Sequence, residues 1–224
     1  MNQSTLQTNI TDSENAPAPM RRWNRRHGLI WIMSSLWLAT TLVVMAWLTD
    51  SSFKPGPATT PLGLWPEGSR IQRDPIRPTL ILFMHPRCPC SRATIGELAV
   101  LASRCQGLFT AQVWFLKPTN VAENWTQTDL WRKASEIPGV SVHVDETGVE
   151  AHRFQALTSG HSMLYDKDGH LLFQGGITLA RGHSGDNPGR STLESVLERG
   201  GARDYSTPVF GCPLVENNAA KGGI

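Results

Sequence analysis

The segment Cys88-Pro89-Cys90 holds two thiols one residue apart, the densest redox chemistry in this 224-residue chain. A thiolate, not a thiol, attacks disulfides and binds soft metals. Two such groups in sequence suit thiol–disulfide exchange: Cys88 is the expected nucleophile, and Cys90 is the thiol expected to resolve the mixed disulfide. Pro89 fits the first position of a helix, where unpaired N–H groups and the positive dipole end stabilise a thiolate. A disulfide closed across one residue forms a tight ring, which is expected to be strained and relatively oxidising. His85, just upstream, is a candidate to tune that thiolate or to serve as an ordinary loop histidine.

Two further cysteines, Cys105 and Cys212, widen the choices. Cys90 and Cys105 stand fifteen positions apart along one predicted helix, about 22 Å, against a disulfide Cα limit of about 7 Å. What remains is Cys88–Cys90 with or without Cys105–Cys212, or a bond from Cys88 or Cys90 to Cys212 that leaves Cys105 alone. A Cys105–Cys212 clamp on the C-terminal segment would contribute about 2–4 kcal/mol. The alternative has Cys212 swinging to Cys88 as a third redox partner.

The elements that position these sulfurs are legible around them. Thr79 to Met84 is a continuous apolar run of strand length, as in a strand covered on both faces, and it ends abruptly in the cysteine loop. Ala93, Ile95, Leu98, Ala99, Leu101 and Ala102 then recur at helical spacing up to Gly107. A strand over Thr110 to Leu116, a helix over about 126–137, a strand over Val140 to Val144 and a short helix from Gly148 to Ala156 follow. Lys167-Asp168-Gly169 between two apolar runs predicts an antiparallel hairpin. Leu193, Val196 and Leu197 mark a last helix. The glycine-rich loop from Arg181 to Arg190 before it reads as a solvated turn, a wall of the site or an anion site.

Upstream, Leu29 to Leu48 carries no charged side chain and would reach about 30 Å as a helix, the hydrocarbon thickness of a bilayer. Trp31 and Trp47 stand near its ends, and Arg21, Arg22, Arg25 and Arg26 sit on its N-terminal side, which predicts a cytoplasmic N-terminus. The expected organisation is a basic cytoplasmic leader over 1–28, a transmembrane helix over 29–48 and a Pro/Gly-rich tether over 49–75. A domain over 76–200 and a C-terminal segment over 201–224 complete it. Localisation to a bacterial cytoplasmic membrane follows, single-pass, with the domain facing the periplasm or cell exterior. A hydrophobic content of 40% with 18% charged residues is globular, and the net charge of +2 comes from the N-terminal arginines, so nucleic acid is not an expected partner. Walker, Gly-x-Gly-x-x-Gly, Gly-x-Ser-x-Gly and Cys-x-x-Cys-His patterns are absent from the sequence.

The β-α-β-α-β-α-β-β-α order, with cysteines where the first core strand meets its helix, resembles the α/β thioredoxin-like fold: a mixed central sheet with helices on both faces. The phrases His85-Pro86-Arg87-Cys88-Pro89-Cys90-Ser91-Arg92-Ala93-Thr94, Gly175-Gly176-Ile177-Thr178, Arg181-Gly182-His183 and Phe210-Gly211-Cys212-Pro213-Leu214 are similar to membrane-anchored thioredoxin-like proteins labelled RedB. The resemblance implies redox function with no cofactor and a protein thiol or disulfide as partner. It departs from the thioredoxin pattern in two places. One residue rather than two separates the cysteines, and Gly160 or His161 stands where the family carries a cis-proline. His161 is expected to face Cys88, where its cation would favour the thiolate. Two other functions fit the same residues: a copper-binding or delivery protein using Cys88, Cys90 and His161, and a non-enzymatic scaffold.

Overall fold

The computed structural model describes residues 21–57, 60, 62–200 and 205–214; the polar leader over 1–20 lies outside them. The chain divides into two units, up to Thr49 and from Asp50 onward. Helix α1 runs over Arg21–Phe53, making up the described part of the first unit and continuing past its end at Thr49. Its His27–Phe53 stretch is long and apolar enough to cross a membrane, with a mean hydropathy of 2.0. The hydroxyls of Thr40, Thr41 and Thr49 donate to the carbonyls four residues earlier, Leu36, Trp37 and Met45, at 2.8, 2.9 and 2.8 Å. Each is thereby satisfied within the helix, as a hydrocarbon surrounding requires. The helix continues past Leu48 into the stretch expected to open the tether.

The second unit is built on strands β1 (Thr79–Met84), β2 (Thr110–Lys117), β3 (Val140–Glu146), β4 (His161–Tyr165), β5 (Leu171–Gly175) and β6 (Tyr205–Ser206). Helices α2 (Ser91–Arg104), α3 (Asp129–Ser135), α4 (Val149–Arg153) and α5 (Pro188–Arg199) connect them. The sheet order is β3-β2-β1-β4-β5-β6. β1 pairs parallel with β2 and antiparallel with β4, and β4 pairs antiparallel with β5. With the cysteine loop between the central strand and its helix, and the hairpin ahead of the last helix, this is the thioredoxin-like arrangement.

β1 is buried along its whole length because both of its faces are covered. Leu80, Leu82 and Met84 meet Ile95, Leu98 and Leu101 of α2 and Leu193 and Val196 of α5. Ile81 and Phe83 point the other way, to Met163, Tyr165 and Phe154. That two-sided burial is why the strand reads as an unbroken apolar run.

Several expectations are corrected. The helix placed over about 126–137 begins at Asp129, after a 3-10 turn over Glu123–Thr126, because the Thr128 side chain accepts from Trp131 N and caps it there. The tether's second half is part of the domain: Trp65 N donates to Gly169 O at 2.8 Å, the indole packs edge-on against Phe154 and Tyr165, and Ile71 is buried. The short strand β6, which no apolar run announces, adds parallel to β5 and starts the C-terminal segment along the sheet edge.

Candidate functional site

The cysteine loop leaves the central strand at Met84 and is held at three points. His85 N donates to Ser159 Oγ at 2.8 Å, and Arg87 N donates to His85 Nδ1 at 3.1 Å. The hydroxyl of Thr128, the α3 cap, donates to Pro86 O at 3.1 Å. Successive turns, Cys88 N to His85 O and Ser91 N to Cys88 O, wind the loop into α2. The helix opens at Ser91 with Cys90 as its N-cap residue, so Pro89 lies just before it rather than at its first position. The effect on Cys88 is preserved, since the first N–H groups of α2 still point toward it.

Cys88 is 1% exposed, yet its surroundings are polar. Burial raises a thiol, but hydrogen bonds from the Cys212 thiol, the Ser91 hydroxyl and the backbone N–H groups of Cys212 and Ser91 outweigh it, and Cys88 ends below its ordinary value. Ser159 Oγ accepts from His85 N at 2.8 Å and lies 2.7 Å from Ser91 Oγ, so the two hydroxyls form one hydrogen-bonded pair beside the sulfur, in which either can be the donor. Both serines are fully buried. Cys90 is half-buried and is pushed up, by burial first and then by the neighbouring Cys88 charge, with Arg181 partly opposing.

Cys212 completes the site. Its Sγ lies 2.9 Å from Cys88 Sγ, across 124 positions of sequence. Burial, then the hydrogen bond and charge of Cys88, push its thiol up to about 12. The expected Cys105–Cys212 clamp is therefore corrected: both are free thiols, and Cys105 sits at the C-terminal cap of α2 inside the apolar core. Burial, followed by the Glu198 and Glu194 carboxylates, raises the Cys105 thiol, so it behaves as a small hydrophobe.

Gly160 and His161 take unexpected roles. Among the described residues no peptide bond is cis. Gly160 adopts φ +92°, a Cβ there would stand 3.1 Å from Thr94 Oγ1, and its N–H donates to Phe83 O at 2.8 Å. Only glycine fits that backbone at that approach. His161 pairs with Phe83 across β1–β4 and shares its face of the sheet, opposite α2. Its ring lines a separate cavity of about 310 Å³ with Pro55, Gly56, Gln174 and Thr207. It does not reach Cys88, and the proposed copper set of Cys88, Cys90 and His161 is not assembled; among the described residues no group of three or more His, Cys, Asp or Glu is arranged to hold a metal.

Burial alone lowers the His161 pKa from 6.5 to about 4. Between those values the unfolded chain binds a proton that the folded chain refuses, so stability is full above pH 6.5 and falls as pH is lowered. The loss approaches about 3 kcal/mol near the lower value. Urea unfolding at a series of pH values is expected to show this slope in the native chain and to lose that component in His161→Gln.

Two functional residues have no role in the sequence reading: Ser91 sits beside the motif and is readable only as its continuation, and Ser159 carries no local signal. Arg181, in the loop for which a wall of the site is one of the expected readings, donates to Gly211 O at 2.6 Å.

No protein-family profile matches the chain, and no curated relative matches it. Among solved structures, the chain is similar to a hypothetical protein from Sinorhizobium meliloti 1021, with TM-score 0.55 and 19% identity over 72% of this chain and 97% of that one. It is similar in the same degree to an uncharacterized conserved protein from Geobacillus kaustophilus, with TM-score 0.52 and 19% identity over 74% and 94%. A more distant likeness, TM-score 0.38 and 13% identity over 55% and 84%, is to the exposed lipoprotein thioredoxin Etrx1 from Streptococcus pneumoniae strain TIGR4.

Proposed function

We propose that this chain is a membrane-anchored, extracytoplasmic thiol–disulfide oxidoreductase of the RedB-like kind, with Cys88 as nucleophile, Cys90 as resolving thiol and a protein disulfide as partner. The observation that carries the reading is the Cys88 environment: a sulfur at the mouth of α2, lowered by hydrogen bonds that converge on it despite its burial. Cys88 thiolate attacks one sulfur of the partner disulfide, forming a mixed disulfide and releasing the other sulfur as thiolate. Cys90, once deprotonated, attacks Cys88 Sγ and releases the second partner thiolate. Two electrons pass from the cysteine pair to the partner, and the reverse sequence oxidises a partner dithiol. Helix α1 serves as the anchor, and the arginines at its N-terminal end support an N-terminus on the cytoplasmic side.

A chain carrying Cys90→Ser and Cys212→Ser keeps Cys88 as the single sulfur at the site, so a partner attacked by it has no way to be released. Membranes from cells making this chain are expected to yield covalent adducts that disappear on reduction and are absent when Cys88→Ser is added. Finding no adduct would leave a scaffold role in place of exchange. The full chain is expected to stay in the pellet after an alkaline carbonate wash; its release would remove the anchor from the reading.

A further inference from the structure

We propose that Cys212 is a third redox cysteine, delivered to Cys88 by a C-terminal segment that adds to the domain as a strand in the groove beside the cysteine loop. The inference rests on the exchange reading above and deepens it by naming where the oxidised protein stores its disulfide.

The segment is built into place. Ser159 N donates to Cys212 O at 2.8 Å, and Leu214 N donates to Leu157 O at 2.9 Å, around an antiparallel bridge between Thr158 and Pro213. On the approach to it, Gly56 N donates to Val209 O at 2.8 Å, and Arg181 Nη1 holds Gly211 O. Beyond it, Leu214 is buried in the core. Backbone pairing to an exposed extended edge is how a strand-like peptide is recognised in general, with its side chains presented in fixed register. Here the register puts Cys212 Sγ 2.9 Å from Cys88 Sγ. Gly211 makes that register possible: a Cβ at this position would stand inside contact distance of Ser159 O.

The step balances without an added oxidant. Once Cys88 and Cys90 are joined, the Cys212 thiolate attacks Cys88 Sγ; the Cys88–Cys212 bond forms, the Cys88–Cys90 bond breaks, and Cys90 leaves as thiolate and takes up the proton Cys212 gave away. The one-residue ring is opened in favour of a bond whose two ends the fold already holds together. A partner thiolate then meets a disulfide whose half-buried end is Cys212, and Cys88 leaves as the better leaving group.

The test is disulfide mapping of the full-length chain in detergent, equilibrated in glutathione redox buffers, quenched in acid and alkylated. The Cys88–Cys212 peptide is expected to exceed the Cys88–Cys90 peptide. Gly211→Ala, which keeps every sulfur, is expected to lower the Cys88–Cys212 yield about tenfold by pushing the segment off Ser159. A native chain that maps as Cys88–Cys90, or a Gly211→Ala chain with undiminished Cys88–Cys212, overturns the relay. If such a chain still traps partners through Cys88, the exchange reading survives alone. A Cys88–Cys212 bond that forms but never exchanges with glutathione is a static clamp, and it overturns both.

Discussion

Cys88→Ser is expected to take disulfide exchange down to the uncatalysed background while leaving the fold intact, because oxygen replaces sulfur in a pocket already made of hydroxyls. The hydrogen bonds that lower Cys88 come from Ser91, Cys212 and two backbone N–H groups, and none of them requires the sulfur to remain folded. Cys90→Ser is expected to be milder, since Cys90 is a raised thiol that acts after the first bond has formed. A graded version isolates the cause. Ser159→Ala removes the hydroxyl paired with Ser91, whose hydrogen bond helps lower Cys88, and a hydrogen bond to a charged group contributes enough that Cys88 alkylation below its midpoint should slow by up to about tenfold. The pH profile of that alkylation should move to higher pH. Unchanged exchange in Cys88→Ser would show that another sulfur is the nucleophile.

The largest stability effect is expected at Glu97, far from any sulfur chemistry but on the same helix. Glu97 is 3% exposed, and Oε2 makes an ion contact with Arg190 Nε at 2.7 Å while accepting from Asn187 Nδ2 at 3.2 Å. Oε1 accepts from Gly185 N at 2.7 Å. Arg190 is as buried, with Glu194 and Asp186 on its other nitrogens. Glu97→Ala leaves the guanidinium without its buried counter-charge and strips the Arg181–Arg190 loop of two acceptors, a loss of about 3–5 kcal/mol. Removing both charges together, as Glu97→Leu with Arg190→Met, is expected to cost far less, because no charge is then left unpaired in the interior. Urea midpoints of the detergent-solubilised chain, followed by tryptophan fluorescence, check both. Equal losses in the single and double variants would mean the cost is one of packing, not charge. Since this loop also supplies Arg181, the single variant should loosen the C-terminal segment and raise the reactivity of Cys212.

Local pattern carried a large share of the fold. The unbroken apolar run of β1, the helical spacing in α2 and the Asp-Gly turn between β4 and β5 each express a contact that is near in sequence or periodic, and all three appear where their residues predict. Helix ends were less legible because they depend on which side chain wins a cap: Thr128 accepts at α3, so the helix expected from about 126 begins at Asp129. Trp65 and Ile71 read as tether because proline and glycine dominate their neighbourhood, while their burial is a property of the surface they meet.

By itself the amino-acid order determined that two thiols stand at a strand-to-helix junction and that an apolar helix precedes them, since composition and period are written along the chain. It determined that Cys105 cannot reach Cys90, a matter of helix rise. Which sulfur approaches Cys88, which hydroxyls gather beside it, and which face of the sheet receives His161 were decided only by tertiary structure. Each joins groups separated by tens of residues or more, and such contacts depend on how a distant segment packs, not on what its own residues prefer.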